Sequence, residues 1–407
     1  MESQVRICLV GVAHFARDHY NSIRQMEREK LAELSCVVIR HPEKHPEDIK
    51  KYREEGVRIY YSYEGMLESE RDRVDLICLP TAIPDHSHQT IQALEAGYNV
   101  LVEKPPAPTI QELDAMIKAE ESNPGFCAVG FQNQSKNTVR ELKRQICLGR
   151  LGKIRSVRAK AAWIRTDSYY NRNEWAGRFE IGGRYVLDGP TGNALAHYLF
   201  NALYWSEPTW GKAAMPAEVT AEIYKAHPIQ GEDTAGLRVI TEGGTEIYYL
   251  VTLAAERECN PITYIEGDRR AAQWKMGADA VIWHDESGQG EVILNDGRSE
   301  HDEVFRNTVK YLRGEAQELN CPLRMTRPYV LALNGAYESA GGTKQIPNPY
   351  VRRYEEGGEM YTELKGINSA INECFRQHAL YSEIGLEWAR PSQPFRLKDY
   401  QEFNLQL

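Results

Sequence analysis

Six short apolar runs recur over the first third of the chain: Val5–Val10, Ser35–Ile39, Arg58–Tyr61, Val74–Leu79, Val100–Val102 and Phe126–Phe131. Such runs, rich in β-branched residues and with little polar alternation, suit strands buried on both faces, as in parallel sheets. Helical stretches separate them: Arg17 to about Leu34, a segment closing on Ala96-Gly97, and Ile110–Ser122. Strand–helix alternation of this kind leaves a doubly wound parallel sheet with right-handed crossovers as the economical fold. Sheets of that type bind ligands beyond the carboxyl ends of their strands.

The pattern changes after residue 131. Ser135 to Gly149 reads as a helix and Ile154–Trp163 as a half-buried strand. Val219–Lys225, Leu237–Thr241, Ile247–Ala255, Thr263–Glu266, Val281–His284 and Glu291–Leu294 are β-rich, with Gly, Asp and Asn turns between them. This composition predicts a mainly antiparallel sheet. The expected fold is therefore α/β: a Rossmann domain over residues 1–130, then an α/β domain with an open, mainly antiparallel sheet over 131–407, including a C-terminal extension. A free face of that sheet would suit a second subunit. Helices are expected at His301–Gly314, Arg327–Ser339 and Asn368–Gln377.

At 407 residues and 42% hydrophobic, the chain can bury the cores of two domains. A net charge of −9 argues against an extended nucleic-acid surface. The longest apolar stretches fall far short of a membrane span. Met1-Glu2-Ser3-Gln4 enters a strand without a basic region, so no export signal is expected. The eight cysteines form no Cys-x-x-Cys pair and no zinc spacing, and several sit in apolar runs. Buried reduced thiols in a cytoplasmic protein, with no metal site, is the simplest reading.

Two stretches carry candidate chemistry. Gly11-Val12-Ala13-His14-Phe15-Ala16 follows the first strand with the spacing of a glycine-rich nucleotide turn, alanine standing at the second and third places. A tight turn before a helix N-terminus offers unpaired amides to a diphosphate. The carboxylate expected about 20 residues on, for the ribose hydroxyls, is replaced by Arg40-His41. Arg40 either pairs a 2′-phosphate, favouring NADP over NAD, or stacks on adenine and faces water. The second stretch is Tyr98–Pro106, where a buried strand ends on Glu103-Lys104 and two prolines stop it. A lysine there stands at the ligand-binding edge of the sheet.

Glu103-Lys104-Pro105, preceded by the Ala93-Leu94-Glu95-Ala96-Gly97 helix end and by His86, resembles the Gfo/Idh/MocA family of glucose–fructose oxidoreductase and inositol dehydrogenase relatives. The likeness runs from Val5 to about Gly342. It implies a Rossmann domain binding NAD or NADP through Gly11, Ala13, His14, Phe15, Ala16, Arg40, Pro80, Thr81, His86, Glu103, Lys104 and Gln132. It also implies a cis Lys104–Pro105 bond. The family's Asp-x-x-x-His appears here as Asn193-Ala-Leu-Ala-His197, and an arginine common near Gln134 is missing. The resemblance implies catalysis by Lys104 and His197, with Asn193 in place of the acid; either a nearby carboxylate compensates, with Asp188 the candidate, or the proton relay differs. The loop from Arg165 to Trp175, rich in Tyr, Asn, Arg and Trp, suits a sugar or polyol, and equally an ordinary interface loop. Substrate contacts are expected from Lys104, Tyr170, Trp175, Asp188, Asn193 and His197.

The function expected is NAD(P)-dependent oxidoreduction at a hydroxyl of a sugar, polyol or related small molecule, by a homodimer or homotetramer. Two other outcomes fit the same residues. One is a redox-neutral sugar-modifying enzyme, an epimerase or glycosidase using bound NAD. The other is a non-catalytic sugar or nucleotide sensor, since fold does not dictate function.

Overall fold

The computed structural model describes residues 4–284 and 292–406. The chain forms two compact units. The first comprises Met1–Ala107, Glu112–Lys136 and Gly297–Thr326; the second comprises Pro108–Gln111, Asn137–Asp296 and Arg327–Leu407. A single cut at residue 131 does not describe this division, because a late segment rejoins the first unit.

The first part of the chain runs β1 (Val5–Val10), α1 (Phe15–Arg28), β2 (Ala32–Val38), α2 (Pro46–Glu54), β3 (Arg58–Tyr60), α3 (Tyr63–Ser69), β4 (Leu76–Leu79), α4 (Ile83–Glu95), β5 (Asn99–Glu103), α5 (Ile110–Ser122) and β6 (Cys127–Gly130). The strands make one parallel sheet in the order β3-β2-β1-β4-β5-β6. This is the doubly wound arrangement, with its switch point between β1 and β4. Helix α1 stops at Arg28, shorter than the helix expected to Leu34. Lys30 takes φ 59°, and Leu31 N–H returns to Met26 O, so the chain turns back early. The strand thus begins at Ala32, where alternate apolar side chains find the core.

The chain continues through α6 (Asn137–Cys147), β7 (Ile154–Ile164), α7 (Asp167–Tyr170), β8 (Glu180–Ile181), β9 (Arg184–Tyr185), a π-helical turn (Pro190–Ala194), α8 (Ala196–Ser206), β10 (Pro216–Lys225), β11 (Thr234–Thr241), β12 (Glu246–Thr252), β13 (Ala254–Gly267), β14 (Ala271–Lys275), β15 (Ala280–His284) and β16 (Val292–Leu294). Of the strand expected at 291–294, Glu291 lies outside the described residues. Helix α9 (Glu300–Leu312) then rejoins the first unit. There Val304, Phe305 and Val309 enter the same core as Ile7, Leu9, Ile23 and Met26. Back in the second unit come α10 (Arg327–Ala340), β17 (Lys344–Gln345), the β18–β19 hairpin (Val351–Glu356, Glu359–Leu364), α11 (Ile367–Gln377) and β20 (Phe395–Arg396).

The second sheet runs β16-β15-β14-β13-β7-β12-β11-β10-β17, antiparallel except at β7–β12 and β10–β17. The single strand expected over Ile247–Ala255 is two, broken at Leu253. β13 continues past Pro261, which sits between register shifts, where a missing N–H costs least.

One face of this sheet is not free. Residues of β7, β10, β11 and β12 that share it meet the C-terminal extension. Arg158 donates to Phe375 O at 2.9 Å and Lys160 to Asn372 Oδ1 at 2.6 Å. Glu222 accepts from Ser382 N at 3.0 Å, and Arg238 pairs with Glu383 at 2.8 Å. Leu250, Tyr224, Ile371, Cys374, Tyr381 and Trp388 form one buried cluster with them. Gly236 lies under Tyr381, where an added Cβ would come within 3.0 Å of the ring. The face expected to await a partner subunit is therefore covered at these strands by the chain itself.

Candidate active site

In the first unit the site begins as backbone geometry. Gly11 takes φ 101° and donates to Val38 O at 2.9 Å. An added Cβ there would meet only the Ala16 Cβ, at 3.7 Å. Glycine is required by the backbone angle, not by lack of room. His14 follows with φ 51° and leads into α1, whose buried Ala16 packs against the strand side. Beside this turn lies a cavity of about 200 Å³, lined by residues from β1, the ends of β2 and β4, and the loops beyond them. Among the expected cofactor residues, Gly11, Ala13, Arg40, Pro80 and Thr81 line it; His14, Phe15, Ala16, His86, Glu103, Lys104 and Gln132 do not. His41 and His45 also line it, and the sequence reading passed them over. Arg40 pairs with Asp85 at 2.8 Å and keeps 53% of its side-chain surface exposed. These residues fit a dinucleotide: a turn without side-chain obstruction, a helix N-terminus beside it, and an arginine at the rim.

The strand end at Glu103-Lys104 is held by two buried histidines. Glu103 Oε1 meets His19 Nε2 at 3.0 Å, while its other oxygen accepts the Lys104 backbone N–H at 3.2 Å. The carboxylate thus fixes the backbone that carries Lys104. Gly130, opposite Glu103 on β6, leaves space for it; a Cβ there would sit 2.3 Å from Oε1. His86 reaches Pro105 O at 2.8 Å and Thr81 O at 3.1 Å, tying the strand-end turn to the loop after β4. Burial pushes the His86 pKa down, more than the two carbonyls raise it. The Lys104–Pro105 bond is cis, as the resemblance implied. Lys104 itself is half-buried. His19 was missed; its signal was a histidine in the stripe Ala16, His19, Ile23, Met26, spaced for one helix face.

In the second unit, the segment from Asp188 to Leu203 is divided. Pro190–Ala194 forms the π turn, with Ala194 N–H on Gly189 O at 3.0 Å and Leu195 N–H on Pro190 O at 2.9 Å. Helix α8 starts only at Ala196, so Asn193 and His197 belong to different elements. Every residue of α8 is buried except His197, in its first turn. Asn193 is half-buried, and its Nδ2 donates to Asp188 Oδ1 at 2.7 Å. The other Asp188 oxygen accepts Gly177 N–H at 2.6 Å, with Arg172 at 3.7 Å. Asp188 therefore acts on Asn193 directly.

Tyr170 ends α7, and Trp175 lies in the loop that follows it. Tyr170 lines a cavity of about 560 Å³ with Asp167, Asn171, Asn173, Arg178 and Gln230. Trp175 does not line it; it lies under the Arg172 guanidinium, 5.3 Å from the ring centroid. Behind Tyr170 stands a buried pair that the sequence reading did not find, His227 Nδ1 on Asp233 Oδ2 at 2.8 Å. Among the described residues no group of three or more His, Cys, Asp or Glu is placed to hold a metal, and no helix is long and apolar enough to cross a membrane. All eight cysteines are free, six of them buried.

The fold and the Gly11 cavity define a dinucleotide-binding protein: a Rossmann unit joined to an α/β unit with a large, mostly antiparallel sheet. Residues 5–131 match the family described as the oxidoreductase family with NAD-binding Rossmann fold, Gfo/Idh/MocA. Among curated relatives, D-apiose dehydrogenase of Paraburkholderia graminis is 24% identical over 285 residues, 67% of this chain and 67% of that protein. The scyllo-inositol 2-dehydrogenase (NAD(+)) of Bacillus subtilis is 27% identical over 158 residues, 38% of this chain. The match spans less than half of that protein, 43%, and likewise 44% of a 4-carboxy-2-hydroxymuconate-6-semialdehyde dehydrogenase from Sphingobium. The crystal structure of the WlbA dehydrogenase of Bordetella pertussis, solved with NADH and UDP-GlcNAcA, has the same fold. Its TM-score is 0.69 at 24% identity, covering 83% of this chain and 96% of that one.

Proposed function

We propose that the protein is an NAD(P)-dependent oxidoreductase that acts on a hydroxyl of a sugar, polyol or related small molecule. The observation that carries this reading is the strand end of β5. A half-buried lysine stands at the carboxyl edge of a nucleotide-binding sheet, its backbone fixed by the Glu103–His19 pair and its turn by His86. The family of the first unit and the dehydrogenase names of the relatives support it. The Gly11 turn, the α1 N-terminus, Arg40, Pro80 and Thr81 would hold the dinucleotide, which when bound supplies the hydride chemistry.

The chain's own residues do the rest. Lys104, as a cation, stabilises negative charge developing on the reacting oxygen. His197, projecting from the buried helix α8, takes or returns the hydroxyl proton. Asn193, held by Asp188, binds a substrate hydroxyl. Tyr170 and the polar cavity beside it receive the rest of the substrate. Self-association as a dimer or tetramer is part of the proposal. It is supported by the exposed Val292 and Leu294 on the edge strand β16, at 51% and 65% exposure.

The test is a panel of sugars and polyols offered with NAD and with NADP, following reduced nicotinamide. Turnover of any member supports the reading. Nucleotide binding without turnover of any of them rejects it in favour of a sensor. Substrate conversion with no net reduced nucleotide moves it to the redox-neutral class. Arg40→Ala decides the cofactor: selective loss of NADP affinity assigns Arg40 to the 2′-phosphate.

A further inference from the structure

The π turn that carries Asn193 is clamped from below by three buried side chains outside the expected site. Tyr249 Oη donates to Leu195 O at 3.0 Å, and Tyr329 Oη to Thr191 O at 2.9 Å. The third is Glu232, fully buried just before β11, whose Oε1 accepts Thr191 N–H at 2.7 Å. Its fit to the turn is close: a Cβ on Gly189 would lie 2.2 Å from Glu232 Cγ. The second carboxyl oxygen is buried and has no hydrogen-bond partner among the described residues. A buried carboxyl bonded on one side only is costly unless it serves a purpose.

We propose that Glu232 is a positioning residue for the reaction proposed above: its carboxyl locks the turn that holds Asn193 and feeds into His197. The inference rests on that functional reading. The groups that face Glu232 are Asp188 before the turn, Asp233 beside it in sequence, Tyr249 from β12, and Tyr329 and Tyr337 from α10. None of these is a cation. Burial, with the carboxylates of Asp233 and Asp188 adding to it, outweighs the Thr191 bond and raises the Glu232 pKa to about 7. Below that pH the lock is a neutral acid. Above it, a second negative charge appears beside Asp188, the residue that holds Asn193, and the turn loosens.

Two variants and two readouts test this. In Glu232→Ala, hydrogen exchange over residues 188–197 should rise at pH 6.5, and kcat should fall about 10²-fold, as for a misplaced catalytic group. The affinity for nucleotide should stay unchanged. Glu232→Gln keeps an oxygen for Thr191 but cannot ionise. Its exchange and kcat should match wild type at pH 6 and exceed wild type in protection and rate at pH 8. Wild-type exchange over 188–197 in the alanine variant overturns the proposal. If that variant does not fold, the glutamine variant decides: a pH dependence of exchange identical to wild type overturns it. If no sugar or polyol is turned over but exchange behaves as expected, the lock stands and the functional reading alone has failed.

Discussion

The two units build their sites from different materials. In the first, the cavity beside Gly11 is shaped by backbone: the φ of Gly11 and loops at the ends of β1, β2 and β4. In the second, the Asn193 turn is held by side chains: Glu232, Tyr249 and Tyr329 from distant elements, and Asp188 from just before it. Backbone sites tolerate side-chain change where the main-chain angles survive. Side-chain clamps do not, and each member is exposed to single substitution.

The largest effects are expected where each unit presents its reactive group. Lys104→Ala should lower kcat about 10³-fold, by analogy with loss of one charge-stabilising donor. His197→Ala should cost about 10²- to 10⁴-fold, and added imidazole should return part of it. Steady-state turnover with the best substrate of the panel measures both. If Lys104→Ala keeps wild-type turnover, the first unit contributes nucleotide binding alone.

Asn193→Asp comes next and probes the clamp. The new carboxylate would stand 2.7 Å from Asp188 Oδ1, where two negative charges cannot both persist. One of the pair should be protonated, its pKa raised above that of a free Asp. A raised carboxylic pKa gives stability that is present at low pH and lost as pH rises through the folded value. The variant should therefore unfold at lower temperature than wild type at pH 8, with the gap closing toward pH 5. Thermal melts across that range measure it, and a gap independent of pH would show that Asp188 does not hold Asn193 in solution.

The backbone side of the contrast is tested by Gly11→Ala. The open space around Gly11 means that only strain is added, about 1–3 kcal/mol. Nucleotide affinity should fall by about 10-fold or more, with the apo protein still folded. An unchanged affinity would remove Gly11 from the cofactor site.

The smallest effect concerns Lys143, buried under α8, whose Nζ donates to the Tyr204, Glu207 and Lys212 carbonyls. Burial lowers its pKa to about 8. The unfolded chain then binds more protons than the folded one above that pH, so this group's contribution to stability should rise from pH 8 toward 10.5. The rise is about 3 kcal/mol when the titration is complete. Lys143→Met should abolish it, as urea titrations of both proteins would show.

The same contrast explains what was legible in the sequence. The parallel strands, the Gly11 turn and the Glu103-Lys104-Pro105 strand end were readable because each is a local pattern of a few residues. His19 could have been read from its place in the α1 stripe. Glu232 could not, because it meets Thr191 across 41 positions and nothing near Gly231 signals the contact. The π turn at Pro190–Ala194 was unreadable for a related reason: it is held by Tyr249 and Tyr329, and helical spacing alone cannot foresee that. In the C-terminal extension the helix α11 was legible as Asn368–Gln377, but its docking was not, because its apolar residues answer the β10–β12 face as well as one another.

The late return of α9 has a consequence for the order in which the protein matures on the ribosome. Val304, Phe305 and Val309 are core residues of the first unit, so that unit lacks part of its interior until more than 300 residues have been made. The second unit waits longer still: Phe403 packs within 6.3 Å of Phe179 and Tyr337, and within 4.9 Å of Tyr185. The usual sequence, in which an N-terminal domain folds while its successor is being translated, is closed to this topology. Both units should acquire protease resistance nearly together, at release, and a nascent chain arrested at residue 296 should still be cleaved within its β1–β6 region.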